Sequence, residues 1–208
     1  MWFDLTEAVI VDYGIGNLFS LRLALQNVGF NATVSSSKEK LQNTELMVLP
    51  GVGNFSVASM NLEPLRETIL KRVADGVPIL GICLGMQLIF SRSQEGEGRG
   101  LDLLAGRSIR LPNHVRTPHM GWNTLSMVRQ SRLLEGVENE SYVYFVHSYY
   151  PDPGAEDVKA AETVYGTTFT SVVEQRNIFG TQFHPEKSGP TGSRILRNIF
   201  EKTKDETR

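Results

Sequence analysis

The sequence predicts an α/β protein whose mostly parallel central sheet carries helices on both faces, with antiparallel additions in the C-terminal half. Three observations point there. Short, almost continuously apolar runs such as Ala8–Asp12 and Leu46–Leu49 read as strands buried on both sides. Between them, apolar residues recur every three or four positions, as amphipathic helices require. In the second half, strand-like runs follow one another across short turns, which suits antiparallel pairing.

Ala8–Asp12 (AVIVD) starts the sheet. A glycine-rich turn follows, and Asn17 suits a helix N-cap. Leu18, Leu21, Leu25 and Val28 then repeat at helical spacing before Gly29, a C-cap glycine. Ala32–Ser35 and Leu46–Leu49 are the next strands. Leu62, Leu65, Ile69, Leu70 and Val73 predict one amphipathic helix closed by Gly76, and Pro78–Ile82 is a strand running directly into a helix over Leu84–Ser91. Ser108–Leu111, Tyr142–His147, Val158–Thr163, Phe169–Gln175 and Ile178–Phe183 are the expected antiparallel additions. Ile195, Leu196, Ile199 and Phe200 mark a last helix, and the polar tail from Lys202 is expected to fray. The 208 residues fit a single domain, with an N-terminal extension over 1–7 and a tail over 202–208.

Composition narrows the function. Hydrophobic residues make up 40 % and charged residues 21 %, a globular rather than a disordered balance. The net charge of −2 excludes a chain-wide basic footprint for nucleic acid. The single cysteine, Cys83, excludes an internal disulfide and a zinc site of paired cysteines, and suits a reducing, cytoplasmic setting. The longest apolar stretch, Val77–Phe90, is too short and too interrupted to span a bilayer. None of the four histidines has H-x-x-x-H spacing, so no metal site is expected.

The segment Val77–Gln87 (VPILGICLGMQ) carries the most chemical information. Glycines two before and two after Cys83 permit a sharp strand–turn–helix bend that presents the side chain, as in a nucleophile elbow. The helix N-terminus then favours the sulfur anion, and the N–H of Leu84 is placed to stabilise an oxyanion. Alone, Cys83 reads first as a small buried hydrophobe; with its flanking glycines the two readings stand level. A thiolate needs a proton-transfer partner. In Phe183-His184-Pro185-Glu186, an extended chain would project His184 and Glu186 to the same side, carboxylate beside imidazole. Without Cys83 this pair reads as a surface ion pair, and His147 as a packed or hydrogen-bonded histidine. The glycine loop Leu49–Phe55 offers a second oxyanion donor at Gly51 or Val52. Tyr13–Asn17 fails as a dinucleotide fingerprint because Phe19 occupies the third glycine position.

Taken together, Gly81–Gln87 (GICLGMQ) and, about a hundred residues later, Phe183–Glu186 (FHPE) resemble the class I (triad) glutamine amidotransferases, a flavodoxin-like fold. Asp12–Leu18 (DYGIGNL), Leu49–Phe55 (LPGVGNF), Pro118–Asn123 (PHMGWN), Tyr144–Tyr149 (YFVHSY) and His184–Ser188 (HPEKS) narrow the resemblance to glutaminase subunits of imidazole glycerol phosphate synthases, from about Ala8 to Phe200. The resemblance implies Cys83 as nucleophile, His184 as general acid/base and Glu186 as its orienter. It implies Gly51, Val52, Gly53 and Leu84 around the oxyanion. Gln87, Glu95, Ser148 and Tyr149 would hold glutamine, and Asn17, Trp122, Tyr144 and Lys187 would face the partner. It further implies a separate (β/α)₈-barrel synthase subunit as a heterodimer partner, a role in histidine biosynthesis and no cofactor. The alternatives are a paralogous glutaminase feeding a different synthase, such as a sugar-modifying one, and a flavodoxin-like binding module without catalysis. The arginine-rich stretch Arg99–Arg116 is expected to be a solvated face.

Overall fold

The computed structural model describes residues 6–206. The N-terminal half contains β1 (Glu7–Val11), α1 (Leu18–Val28), β2 (Asn31–Ser35), α2 (Lys38–Gln42), β3 (Leu46–Leu49), α3 (Phe55–Leu62), α4 (Arg66–Ala74), β4 (Ile79–Ile82) and α5 (Leu84–Ile89). The C-terminal half contains β5 (Gly106–Arg110), β6 (His119–Thr124), β7 (Ser126–Met127), β8 (Tyr142–His147), β9 (Tyr149–Pro153), β10 (Lys159–Val164), β11 (Thr168–Gln175), β12 (Ile178–Thr181) and α6 (Gly189–Glu206). Eight strands form one sheet in the order β2-β1-β3-β4-β12-β11-β10-β7. Pairing is parallel from β2 to β12 and antiparallel from β12 to β7.

Apolar layers cover both faces of this sheet. Ala8 and Ile10 pack with Leu21 and Leu25 of α1 and with Ile195, Leu196 and Ile199 of α6. Val9 and Val11 point the other way, against Phe55 and Leu62 of α3, Ile69 of α4 and Leu88 of α5. Alternate residues of one strand thus enter different cores, which is why β1, β3 and β4 read as continuous apolar runs. Among the described residues, no helix is long and apolar enough to cross a membrane.

The caps expected for α1 are present: Asn17 Oδ1 accepts from Ser20 N–H at 3.4 Å, and Gly29 takes φ 121°. Several other expectations need correction. The single helix expected through Leu62–Val73 is α3, a 3₁₀ turn over Glu63–Leu65, and α4. Pro64 lacks an N–H and its ring crowds the preceding turn, so a continuous α-helix cannot pass through it. Ser108–Leu111 and Tyr142–His147 do not join the main sheet. They form separate antiparallel ribbons, β5 with β9 and β6 with β8. Their partner strands were unreadable locally: β9 (YYPDP) contains two prolines and β6 (HMGWNT) a glycine, compositions tolerated at ribbon edges. The strand expected over Ile178–Phe183 is antiparallel only to β11; its other neighbour, β4, runs parallel. The tail from Lys202 continues α6 as far as Glu206. Of the expected N-terminal extension, residues 1–5 lie outside the described residues and Glu7 opens β1, while 207–208 of the tail also lie outside.

Candidate active site

The β4–β12 pairing brings two segments about a hundred residues apart together. Ile82 is in register with Thr181, so the residues that follow each strand emerge side by side at the same edge of the sheet. Cys83 follows β4 and His184 follows β12. The Cys83 N–H donates to Thr181 O at 2.7 Å, tying the cysteine turn to the strand that delivers the histidine. Cys83 has φ 54° and ψ −109°, a conformation that disfavours any side chain and costs about 1–3 kcal/mol. Gly85 is obligatory beside it: a Cβ there would stand 1.9 Å from Leu49 O. A Cβ on Gly51 would stand 2.4 Å from Gly85 N, so the glycine loop after β3 lies directly on the cysteine turn.

His184 and Glu186 meet as expected, through different local geometry. Pro185–Lys187 is a 3₁₀ turn rather than an extended segment, because proline suits the first position of a turn. The turn still places His184 Nδ1 2.8 Å from Glu186 Oε1, with side chains only 3 % and 4 % exposed. Burial by itself would lower the imidazole; interactions with nearby Cys83 and the hydrogen bond and charge of Glu186 outweigh it and raise His184 to about 10. The ring is therefore an imidazolium at neutral pH, able to surrender a proton. Backbone bonds clamp it: His184 N–H donates to Tyr144 O at 3.0 Å, and Ser188 Oγ donates to His184 O at 2.7 Å.

The Cys83 thiol points to Val146 O at 3.7 Å, and Gln182 Nε2 donates to Sγ at 3.5 Å. A cleft of about 200 Å³ opens at the sulfur. Val52, Gly53 and Leu84 line it, as do Gln87, Glu95, Ser148 and Tyr149. Gly51 is not on its wall; it supports the turn from behind. Glu95 Oε2 accepts the Phe55 N–H at 2.7 Å, and burial pushes its carboxyl up against that bond. A larger groove of about 830 Å³ around Arg129–Arg132 and Glu174 holds none of the expected site residues.

The expected partner-facing residues divide. Trp122 and Tyr144 are cross-strand partners of β6 and β8 with rings edge to face at 5.9 Å, and Lys187 Nζ lies 6.0 Å from the Tyr144 ring centre. Trp122 is 55 % exposed. Asn17 is occupied as the exposed cap of α1. Sequence reasoning missed Gln182 and Val146 at the sulfur and gave His147 no place in the cleft it lines. Gln182 carries a faint signal, a polar residue inside an apolar strand two positions before His184. Of the arginine stretch, Arg99 pairs with exposed Glu63 at 2.6 Å. Among the described residues, no group of three or more His, Cys, Asp or Glu could hold a metal ion.

A thiol at a strained turn and a buried imidazole–carboxylate pair on the neighbouring strand are groups that could serve acyl transfer from a small amide. The family model for glutamine amidotransferase class-I matches residues 9–203. The chain belongs to this family. It is accordingly a glutamine-hydrolysing amidotransferase. It is 52 % identical to the imidazole glycerol phosphate synthase subunit HisH of Methanothermobacter thermautotrophicus, over 92 % of this chain and 96 % of that one. The HisH subunit of Geobacillus kaustophilus is 49 % identical, over 91 % and 93 %. That of Natronomonas pharaonis is 45 % identical, over 94 % of each. The fold is shared with PurLQS from Thermotoga maritima, at TM-score 0.75 and 22 % identity over 94 % of this chain and 98 % of that one.

Proposed function

We propose that this chain is the glutaminase subunit of an imidazole glycerol phosphate synthase, and that its whole length forms one amidotransferase domain. The identity to HisH subunits over nearly the full chain supports this reading. The mechanism rests on one observation: Cys83 and the buried His184–Glu186 pair follow the neighbouring, in-register strands β4 and β12, with Cys83 on the wall of the cleft and the pair behind it.

Cys83 Sγ attacks the side-chain amide carbon of glutamine. Backbone N–H groups of Leu84 and of the Gly51–Gly53 segment hold the tetrahedral oxyanion; losing one such donor typically costs about 10²–10³ in rate. His184 protonates the departing nitrogen, ammonia leaves, and a γ-glutamyl thioester remains. His184, now neutral, takes a proton from water, whose oxygen attacks the thioester and releases glutamate. Glu186 keeps the ring oriented throughout. Gln87, Glu95, Ser148 and Tyr149 hold the amino-acid portion.

Ammonia that escapes into neutral water is protonated and loses its nucleophilicity, so it passes directly to a synthase. That synthase is a (β/α)₈-barrel subunit docked over Trp122, Tyr144 and Lys187, with Asn17 at the same interface. The setting is the cytoplasm and the pathway histidine biosynthesis. The test is ammonia release from glutamine by the chain alone and with a barrel synthase plus its nucleotide substrate, together with covalent labelling by a mechanism-based glutamine analogue. Label on Cys83 and a faster rate in the complex are expected. Equal rates with and without the synthase would overturn the coupling, and an unlabelled Cys83 would overturn the nucleophile.

A further inference from the structure

Gln182 is wholly buried immediately after β12, its side chain reaching the sulfur of Cys83. A glutamine amide could present either its oxygen or its nitrogen to that sulfur, and the surrounding bonds decide which. Gln182 Oε1 accepts from Gln87 Nε2 at 3.2 Å, which leaves Gln182 Nε2 facing Sγ at 3.5 Å. The orientation of Gln87 is fixed in turn, because its Nε2 also donates to the Tyr149 carbonyl at 2.8 Å, and a carbonyl can only accept.

The same carbonyl anchors a chain leading outward. His147 Nδ1 lies 3.0 Å from Tyr149 O and must carry the proton there, so His147 Nε2 accepts. His119 Nδ1 then donates to it at 3.1 Å, and His119 Nε2 accepts from Asn123 Nδ2 at 3.3 Å. Asn123 is oriented as well: its Nδ2 also donates to Val164 O at 3.1 Å and its Oδ1 accepts the Thr124 N–H at 2.8 Å. Every bond runs in a consistent direction from β6 to Tyr149, and each imidazole needs a single proton. Burial, reinforced for His147 by the neighbouring His119, lowers His119 to about 4 and His147 to about 3, so both rings are neutral at physiological pH.

We propose that Gln182 is a further catalytic residue of the glutamine hydrolysis, an amide donor held on the Cys83 sulfur that stabilises it whenever it carries negative charge. This rests on the assignment of Cys83 as nucleophile. Negative charge resides on sulfur before attack and again when the thioester is hydrolysed: water oxygen bonds to the carbonyl carbon, His184 takes the water proton, and the C–S bond breaks with its electron pair left on sulfur. At that second moment the proton on His184 is being redistributed. The Gln182 N–H does not titrate and is present in both steps. The other titratable groups around the sulfur are His184, backed by Glu186, buried Tyr13, whose O–H is donated to Pro50 O, and Glu95 and His147 on the wall of the same cleft.

The closing experiment uses the full-length chain, in which Cys83 is the single cysteine and therefore the only thiol iodoacetamide can alkylate. Gln182→Met keeps the volume and removes the donor; Gln182→Glu keeps the bond to Gln87 and turns an acceptor toward the sulfur. A charge-assisted hydrogen bond predicts a fall in kcat of about tenfold to a hundredfold with KM little changed. The midpoint of the alkylation pH profile should move up by about one pH unit or more, and further for Gln182→Glu. Circular-dichroism melts identify the folded variants, and either one suffices. A folded variant with the wild-type midpoint and wild-type kcat overturns the proposal. Absence of glutamine-analogue label on Cys83 in the wild-type chain instead overturns the underlying nucleophile assignment, a result the Gln182 variants cannot mimic.

Discussion

Replacing Glu186 with glutamine removes the charge behind His184 and little else. The carboxylate lies 2.8 Å from Nδ1 in a pair whose side chains are at most 4 % exposed, so solvent screens it weakly. Raising His184 from 6.5 to about 10 corresponds to about 5 kcal/mol, at about 1.36 kcal/mol per pH unit. Cys83 and Glu186 together produce that gain against the burial penalty, and a hydrogen bond to a charged group such as the Glu186 carboxylate is worth about 2–3 kcal/mol. If the departing ammonia takes its proton from His184, Glu186→Gln lowers kcat by about 30- to 150-fold. The alkaline limb of the pH–rate profile should move toward neutrality, because the imidazolium is lost at lower pH. The assay is ammonia release in the presence of the synthase partner, with His184 titrated independently by NMR. A kcat within threefold of wild type and an unmoved alkaline limb would refute the reasoning, leaving Glu186 a mere packing partner.

The positive φ of Cys83 predicts an inversion of the usual order in which alanine stabilises more than glycine. Cys83→Gly and Cys83→Ala should both lose glutamine hydrolysis, with the glycine variant the more stable in urea unfolding by about 1 kcal/mol. Trp122→Ala should leave the melting temperature nearly unchanged and weaken synthase binding in a calorimetric titration by about 2 kcal/mol or more, as an exposed aromatic anchor would. His119 and His147 are lowered in the folded chain, so their contribution is present above an unfolded value near 6.5 and is lost as pH falls toward 3–4. Urea midpoints should therefore drop between pH 7 and 5, with His147→Gln flattening part of the slope. His184 has the opposite sign: its contribution is complete below 6.5 and disappears as pH rises through about 10, so alkaline destabilisation should diminish in Glu186→Gln.

Residues near one another in sequence determined the elements of the first half. Apolar runs, the Asn17 cap and Gly29 mark β1, α1 and their neighbours because helix and strand periodicity is written locally. The glycines around Cys83 announce the bend, and the i, i+2 spacing of His184 and Glu186 announces their contact, even though a 3₁₀ turn delivers it. Tertiary structure alone decided the rest. No local pattern reveals that β12 inserts parallel to β4, or that Tyr142–His147 leaves the main sheet to pair with the glycine-containing β6. Strand partners are chosen by burial and backbone hydrogen bonding between segments far apart in the chain. The same pairing places an amide from Gln182 on a sulfur ninety-nine residues away, a contact that no spacing rule encodes.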